Sequence, residues 1–214
     1  NEQNNQTADE KDIPIESPIF SDDVNKIVVK IDEDKIKETR QSVIGIFDPE
    51  EHNFNLNMWT QTDGEEIKKI LNRINKLKLS KLSEDLLFLV LFTNSYSPQK
   101  NLNSEEFLKI KINWLIKRKR IGDLETLLRV NPEVGQNPKA VKFLINEHLS
   151  FSNIKSACEK INYIDRKVQN IYLDKFIIYC LINNDRKEEA NIIFDLLKER
   201  GFKDKFFEDK INFL

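Results

Sequence analysis

From Thr62 onwards, the apolar residues of the chain recur with helical spacing. The first such segment, "TDGEEIKKILNRINKL", opens with an N-cap residue, either Thr62 or Asp63, and continues with acidic residues in its first turn. Its apolar residues then fall on one helical face, and they are Ile67, Ile70, Leu71 and Ile74. The pattern predicts an amphipathic helix that packs through this face.

Two further helices follow, each with its own start signal. The segment "SEDLLFLVLF" has Ser83 at the N-cap position and is apolar almost all round, which predicts a central buried helix. The segment "NSEEFLKIKINWLIKRKRIG" has Ser104 as its N-cap and ends in cations before Gly122. An acidic start, a basic end and a terminal glycine match the helix dipole and the glycine preference after helices.

The rest of the chain repeats this pattern of start signal, apolar face and polar turn. Six more helical segments are predicted: "DLETLLRV", "PKAVKFLINEHL", "NIKSACEKI", "RKVQNIYLDKFIIYCLI", "DRKEEANIIFDLLKERG" and "KFFEDKINFL". Glycine and proline are sparse after residue 63, which also favours helices. We therefore predict a mainly α-helical domain over residues 59–214.

Residues 1–58 have a different character. Residues 1–20 are polar, acidic and interrupted by prolines, which is typical of a disordered tail or an extended arm. Three short runs with strand character follow, and they are "KIVVKI" (26–31), "SVIGIF" (42–47) and "NFNLNMW" (53–59). Two or three such strands do not form a stable sheet alone. We expect an extended, partly disordered arm whose short strands lie against the helical domain or pair with another chain.

Three segments of the helical domain can be aligned with one another: "WLIKRKRIGDLETLL", "LINEHLSFSNIKSAC" and "IYCLINNDRKEEANI". Each is an apolar helix end, a polar turn and a second helix with a small or apolar residue after the turn. Those residues are Leu127, Ala157 and Ala190, which are 30 and 33 residues apart. Helix–turn–helix units with such a period indicate stacked antiparallel helical hairpins, an α-solenoid.

The pattern resembles tetratricopeptide-like (TPR-like) repeats, in which a turn residue is followed by an alanine that packs against the first helix. The resemblance covers residues 104–201. It is degenerate, because the family's Leu-Gly pair with a downstream Tyr is absent and only Pro132 closes a unit as the family's proline does. The resemblance implies a protein that binds other proteins.

The four consecutive cations Lys117–Arg120 follow Trp114 in a chain whose net charge is −2. Cations in the last turn of a helix interact favourably with its dipole, so we interpret the cluster as a helix end. A nucleic-acid-binding surface would repeat the basic face along the stack. The equivalent segments "NEHLS" and "YCLINN" carry no cations. We therefore expect no nucleic-acid partner.

A second resemblance rests on residues spread over most of the chain, which are Trp59, Thr62, Gly122, Asp123 and the Phe206–Phe207 pair. They lie in "GIFDPEEHNFNLNMWTQTDGEEIKKILNRI", "RIGDLETLLRVNP" and "EEANIIFDLLKERGFKDKFF". These segments resemble an uncharacterised family of helical-repeat proteins from alphaproteobacteria. The resemblance implies a periplasmic or envelope-associated location, with a cytoplasmic location as the alternative. It implies no activity and no catalytic residues.

Candidate catalytic chemistry is scarce. His52 and His148 are the only histidines, and zinc sites require three or four nitrogen or sulfur ligands at characteristic spacing. We interpret His52 as a solvated loop residue and His148 as a half-exposed residue at a helix end. The sequence contains no HExxH, CxxC or GxSxG motif, and its glycines are too scattered for a phosphate-binding loop. We predict no enzyme activity, no metal site and no cofactor.

The two cysteines, Cys158 and Cys180, both fall within apolar helical patterns. This position favours two buried, reduced thiols, because free cysteine behaves as a small hydrophobic residue. A disulfide between them requires that their backbones come close, which leaves the pairing open. The longest apolar stretch, "LLFLVLF", is far shorter than the 18 or more residues of a membrane-spanning helix, so we expect no membrane span.

Together these patterns predict a non-catalytic protein–protein interaction scaffold that is built on TPR-like helical repeats. The physical reason is that stacked hairpins form a wide binding surface without chemistry of their own. The partner is expected to be a protein of unknown identity. The alternative is a structural or assembly subunit of a larger bacterial envelope complex.

Overall fold

The computed structural model describes residues 43–165 and 167–213, and these residues form nine α-helices and no β-strand. The helices are α1 (Gly64–Ile74), α2 (Lys81–Phe92), α3 (Ser104–Lys117), α4 (Ile121–Val130), α5 (Pro138–Ser150), α6 (Ile154–Glu159), α7 (Ile171–Asn183), α8 (Lys187–Glu199) and α9 (Lys205–Phe213). The predicted mainly α-helical class is thus confirmed.

By its contacts the chain divides into two units, and the described residues belong to the second unit, Arg40–Leu214. Residues 43–58, which the sequence pattern grouped with the amino-terminal arm, share the second unit with the helices. The run "KIVVKI" lies outside the described residues. The run 53–59 is a series of turns rather than a strand, and "SVIGIF" forms only an isolated bridge between Phe47 and Thr93.

The segment Val43–Phe47 is held in place by hydrogen bonds on both sides. On one side it pairs with the end of α2, where the Ile46 amide donates to the Phe92 carbonyl at 2.6 Å. On the other side Asn131 Nδ2 donates to the Gly45 carbonyl at 2.7 Å. Lys111 Nζ donates to the Ile44 carbonyl at 2.8 Å. Polar side chains of α3 and of the residue after α4 therefore replace the neighbouring strand that a β-sheet would supply.

The predicted helix starts are close to the observed ones. Asp63 is the N-cap of α1 and accepts a hydrogen bond from the Glu65 amide at 2.8 Å. Helix α2 is capped by Ser80 and not by the predicted Ser83. Helix α3 is capped by Asn103 and not by Ser104, which is its first residue. Asparagine and serine are both good N-caps, so adjacent candidates compete and only the backbone decides.

The predicted role of Gly122 is wrong. Helix α3 ends at Lys117, and the left-handed residue after it is Lys119, with φ 51°. Gly122 instead lies in the first turn of α4. Gly201, with φ 85°, does occupy the left-handed position after α8. Lys119, after α3, therefore adopts a left-handed conformation that glycine would adopt at a lower energetic cost.

The predicted central burial of α2 is also wrong. Phe88, Leu91 and Phe92 are buried on one face, whereas Leu82 and Leu86 on another face are 80% and 58% exposed. A helix that is apolar all round was expected to be enclosed by the rest of the fold. Here the other described helices cover only one side of it.

The turns between paired helices recur at a constant interval. Lys119, Ser152 and Asp185 are each 33 residues apart, and all three have left-handed backbones, with φ values of 51°, 56° and 58°. The second helix of each pair starts shortly after this residue, at Ile121, Ile154 and Lys187. The members of the pairs α3–α4, α5–α6 and α7–α8 contact each other. The structure therefore contains three successive units with the same turn.

This interval corrects the predicted alignment of the first unit. Ala157 lies 33 residues before Ala190. The residue 33 positions before Ala157 is Leu124 and not Leu127. The amides of Leu124, Ala157 and Ala190 all donate to the carbonyl of the residue before the second helix, which shows that they are equivalent. The pattern of apolar positions does not distinguish Leu127 from Leu124. In the structure both leucines are fully buried.

The apolar core has two parts. The larger cluster extends from Ile44 to Cys180 and contains the aromatic group Phe88, Phe92 and Trp114. The smaller cluster lies among α7, α8 and α9. Cys158 of α6 and Cys180 of α7 form a disulfide, with their Cα atoms 5.5 Å apart. The favoured prediction of two reduced thiols is therefore wrong, because α6 and α7 pack closely enough for the bond to form.

Candidate interaction surfaces

The outer face of α2 is apolar and exposed. Leu82 and Leu86 are separated by one helical turn and therefore lie on the same side of the helix. With 80% and 58% of their surfaces exposed, they are among the most exposed large apolar residues of the part of the chain that the structure describes. We call this pair the α2 apolar face. Adjacent exposed apolar residues on a helix mark candidate sites of protein contact.

An open groove of about 430 Å³ lies between α1 and α3. From α1 and its C-cap it is lined by Lys68, Leu71, Asn72 and Asn75. From α3 it is lined by Glu106, Lys109, Ile110, Asn113, Trp114 and Lys117. Its floor is apolar and its rim carries amides and charges. This combination is typical of a ligand-binding groove.

Two polar atoms of residues that line this groove have no hydrogen-bond partner among the described residues. They are Trp114 Nε1, a donor, and Asn75 Oδ1, an acceptor. Each such atom costs about 1–3 kcal/mol when it is buried. Both atoms are buried, so a bound molecule reaches them only if side chains such as that of Asn75 rotate. Two residues that line the groove therefore each carry a buried polar atom without a partner among the described residues.

Charges at the groove rim are mostly paired. Lys68 Nζ lies 3.0 Å from a Glu65 carboxylate oxygen and 3.7 Å from one of Glu106. The hydrogen bond to Glu65 is the largest cause that raises the pKa of Lys68 above its ordinary value. Lys117 differs, because its Nζ donates to the Asn75 carbonyl at 3.3 Å and makes no ion pair with another described residue.

A lysine occupies the same position in the first helix of all three units. Lys109, Lys142 and Lys175 are each 33 residues apart, in α3, α5 and α7 respectively. Lys109 Nζ pairs with Glu105 at 2.6 Å, and Lys175 Nζ pairs with Asp204 at 2.8 Å. Lys142 Nζ lies 4.8 Å from the centre of the Tyr172 ring and makes no ion pair within the described residues.

An asparagine lies one helical turn after the first two of these lysines. Asn113 Oδ1 accepts a hydrogen bond from Lys139 Nζ at 2.6 Å, and Asn146 Oδ1 accepts one from the Tyr172 hydroxyl. Lys139 and Tyr172 are separated by the same interval as the units, so the same contact occurs twice. It joins α3 to α5 and α5 to α7. We call the side formed by Lys109, Asn113, Lys142, Asn146 and Lys175 the Lys/Asn face.

The basic cluster Lys117–Arg120 is a helix end and a turn. The Arg120 guanidinium lies 3.6 Å from the centre of the Phe88 ring, and its Nε is 2.6 Å from Asp123. Arg118 pairs with Glu84 of α2 at 3.4 Å. Both arginines are therefore engaged in contacts between helices.

Neither histidine side chain forms a hydrogen bond with another described residue. His52 is exposed, and its ring lies 6.1 Å from that of Phe47. His148 is half-buried in the last turn of α5, and its Nε2 has no partner among described residues. Within residues 43–165 and 167–213, no group of three His, Cys, Asp or Glu side chains could hold a metal ion.

One cluster of ionisable side chains joins α4 to the turn after α6. Lys160 Nζ lies 2.6 Å from Glu125 Oε1, and the Tyr163 hydroxyl donates to the same oxygen at 3.2 Å. Burial opposes ionisation of Glu125, but Lys160 and Tyr163 together hold the pKa of its carboxyl below the ordinary value. A carboxylate that accepts two hydrogen bonds and faces an ammonium group is stabilised as an anion. We assign it a structural role.

Sequence reasoning did not single out the Lys/Asn face. The signal that could have found it is the recurrence of asparagine or aspartate N-caps at the start of each first helix, which are Asn103, Asn137, Asn170 and Asp204. Their nearly equal spacing gives the register of the units. With that register, Lys142 and Lys175 each lie five residues after their N-cap, whereas Lys109 lies six residues after Asn103, so the lysines align to within one residue.

Comparison with known proteins gives no relative: no family model, no curated protein and no solved structure matches the chain. No helix in the described part of the chain is long and apolar enough to cross a membrane.

Proposed function

We propose that this protein is a non-catalytic scaffold that binds other proteins through a TPR-like stack of helical units. The observation that carries the proposal is the α2 apolar face, where Leu82 and Leu86 are exposed although the same helix contributes Phe88, Leu91 and Phe92 to the core. Exposing leucine to water is unfavourable by roughly 1.5–3 kcal/mol per side chain relative to full burial. A bound partner removes this cost.

The stacked arrangement is supported by the constant interval between the turns and by the repeated contact of Asn113 and Asn146 with the following unit. Helix α9 starts at Lys205, close to where the same interval after the start of α7 places the first helix of a further unit. Each unit contacts its neighbours, as in repeat proteins. Such a stack presents a long surface to a partner and needs no catalytic group.

For its location we propose an oxidising compartment such as the periplasm or cell envelope. The support is the disulfide between Cys158 and Cys180. Disulfides persist in oxidising compartments and are rare where thioredoxin and glutathione keep thiols reduced. The resemblance to alphaproteobacterial envelope proteins leads to the same proposal.

The test is capture of the tagged protein from its own host, followed by mass spectrometry of whatever is bound. We expect one or more proteins in fixed ratio to the wild type, and their loss with the double variant Leu82→Glu/Leu86→Glu. The control is Lys78→Glu/Lys81→Glu, which also adds two glutamates, one before α2 and one at its first residue, outside the apolar face. Capture that is equal for wild type and the leucine variant would refute the role of this face.

The α2 apolar face is also compatible with a permanent contact in a larger envelope complex. The two functions differ in stoichiometry and exchange. A structural subunit remains in one complex of constant mass during gel filtration, whereas a scaffold exchanges partners when a competing one is added. The same captured material decides between them.

A further inference from the structure

We propose that the Lys/Asn face binds an acidic, extended segment of a partner protein in which acidic residues occur at every third position. This proposal rests on the scaffold function and names the chemistry of the partner. Two observations support it, the repeated lysines and the orientation of the asparagines, and they are combined with the general spacing of packed helices.

The lysines place positive charge at regular intervals. Lys109, Lys142 and Lys175 occupy equivalent positions in three helices that contact in the order α3, α5, α7. Residues 1–39 contain eleven acidic and five basic residues, so the unit Arg40–Leu214 has a net charge of +4 although the whole chain has −2. A net positive unit favours an acidic partner, and Lys142, at the centre of the row, makes no ion pair with another described residue.

The asparagines have side chains in a fixed orientation. In Asn113 and Asn146 the Oδ1 atom is already used by Lys139 and Tyr172, and the Nδ2 group has no hydrogen bond to another described residue. Both side chains are exposed. Each therefore presents two N–H donors, which suit the carbonyl oxygens of an extended backbone. A lysine and an amide donor in each of the first two units can bind one carboxylate and one carbonyl.

The spacing of the helices sets the spacing of the carboxylates. Packed helices lie about 8–10 Å apart. A polyproline II segment rises about 3.1 Å per residue and has three residues per turn, so every third side chain lies on one side at about 9 Å intervals. A β-strand alternates sides every residue and does not match this interval as well. The occupant is thus expected to adopt the polyproline II conformation.

A nucleic acid fits this face less well. Glu105 lies beside Lys109, and Asp204 lies beside Lys175, so two of the three cations have a carboxylate within 2.8 Å. A phosphate backbone requires a basic surface with few such carboxylates. A partner carboxylate on a flexible side chain can approach Lys142, the middle cation, which has no ion pair among the described residues.

The test measures binding of a fluorescein-labelled peptide, (Glu-Pro-Ala)4, to the full chain by fluorescence anisotropy. Three comparison probes are (Lys-Pro-Ala)4, a peptide of the same composition with its four glutamates consecutive, and a labelled single-stranded DNA 12-mer. We expect the spaced acidic peptide to bind most tightly. Added salt should lower its affinity, because salt screens the electrostatic attraction.

The variant to test is Lys142→Glu, with Lys155→Glu of α6 as the matched control on another exposed surface. We expect Lys142→Glu to lower the affinity for the spaced acidic peptide about tenfold. Lys155→Glu should leave this affinity within about twofold of the wild-type value. Melting temperatures equal to the wild type show that both variants fold. In ¹H–¹⁵N spectra the side-chain amides of Asn113 and Asn146, assigned with alanine variants, should shift on addition of the spaced peptide.

The outcomes separate this proposal from the scaffold function. Equal binding of the spaced and consecutive peptides, equal binding by Lys142→Glu, no binding of either acidic peptide, or tighter binding of the DNA would each overturn the proposed occupant. In all of these cases the capture experiment can still return stoichiometric proteins. Capture of no protein would refute the scaffold function itself.

Discussion

Lys111 is the residue whose position departs most from what its side chain prefers. It is 1% exposed, has no carboxylate partner among the described residues, and donates to the Ile44 carbonyl. The Phe107 ring, 4.8 Å away, favours the charged form, but burial opposes it and lowers the pKa of Lys111 to about 7. The hydrogen bond that this buried group makes fixes the segment Val43–Phe47 against α3.

A pH dependence of stability follows from this lowered pKa. In the unfolded chain the ordinary lysine pKa is about 10.4. Between about pH 7 and pH 10 the unfolded chain therefore binds more protons at this residue than the folded chain does. The contribution of Lys111 to the free energy of unfolding should therefore rise with pH across this window, by up to about 1.4 kcal/mol per pH unit. Below about pH 7 both states are protonated and the dependence vanishes.

The measurement is urea unfolding of the wild type and of Lys111→Met at pH 7, 8 and 9. The variant lacks the titrating group, so the difference in unfolding free energy, wild type minus variant, should increase from pH 7 to pH 9. Using the difference removes the contributions of the other lysines and tyrosines, which both proteins share. Parallel stability curves for the two proteins would show that Lys111 is not desolvated as described.

Two glycines give opposite predictions for the same substitution. A Cβ on Gly64 would overlap the Leu102 side chain and come within 2.9 Å of the Asn101 carbonyl carbon, whereas a Cβ on Gly122 meets nothing within 4 Å. Gly64→Ala should destabilise the protein by about 1–3 kcal/mol through overpacking. Gly122→Ala should stabilise it by about 0.5–1 kcal/mol, because alanine favours helices. Thermal unfolding of both variants checks the prediction, and a change of the same sign in both would contradict it.

At the scale of the helices, contacts between elements are more sensitive than turns. Ala157 of α6 is fully buried, whereas Lys119 is exposed in the turn after α3. Ala157→Leu should lower the free energy of unfolding by about 1–3 kcal/mol, because the larger side chain overpacks this buried position. Lys119→Ala should change stability little, since alanine and lysine tolerate the left-handed backbone equally poorly. Equal melting temperatures for the two variants would show that Ala157 does not sit in a close helix contact.

The sequence predicts the helices better than it predicts their register. Apolar spacing and acidic first turns located the helices of the described residues, because both signals are local. The alignment through Leu127 was wrong, since Leu124 and Leu127 look alike to a pattern of apolar positions. The left-handed residues Lys119, Ser152 and Asp185, which share no residue type, fix the period at 33 residues, whereas the recurrent N-caps give it only to within one residue.

The burial of a helix also depends on what is packed around it. The composition of α2 predicts a central position, yet the described residues leave Leu82 and Leu86 exposed. No local pattern distinguishes an apolar residue that meets the core of its own chain from one that contacts a partner. The exposure of the α2 apolar face was therefore beyond sequence reasoning, whereas the scarcity of catalytic motifs was visible in the sequence.

At the scale of the whole described molecule, the disulfide joins parts of the core that are separate in the sequence. Cys158 lies in α6 and Cys180 in α7, at a sequence separation of 22. Each belongs to the larger apolar cluster, while α7 also contributes Ile178 and Leu181 to the smaller one. The bond therefore fixes α6 to the helix that both clusters share. Its loss should affect the stability of the whole rather than of one turn.

Removing the disulfide is expected to lower stability by about 3 kcal/mol, because a closed loop of this length restricts the unfolded chain. For a domain of this size each kcal/mol corresponds to roughly 2–4 °C, so the melting temperature of Cys158→Ala/Cys180→Ala should fall by about 10 °C. Dithiothreitol should lower the melting temperature of the wild type similarly and leave the variant unchanged. A wild type that melts at the same temperature with and without reductant would show that the bond adds no stability. The proposed oxidising compartment would then lose its main structural support, because the folded state would not depend on the redox conditions there.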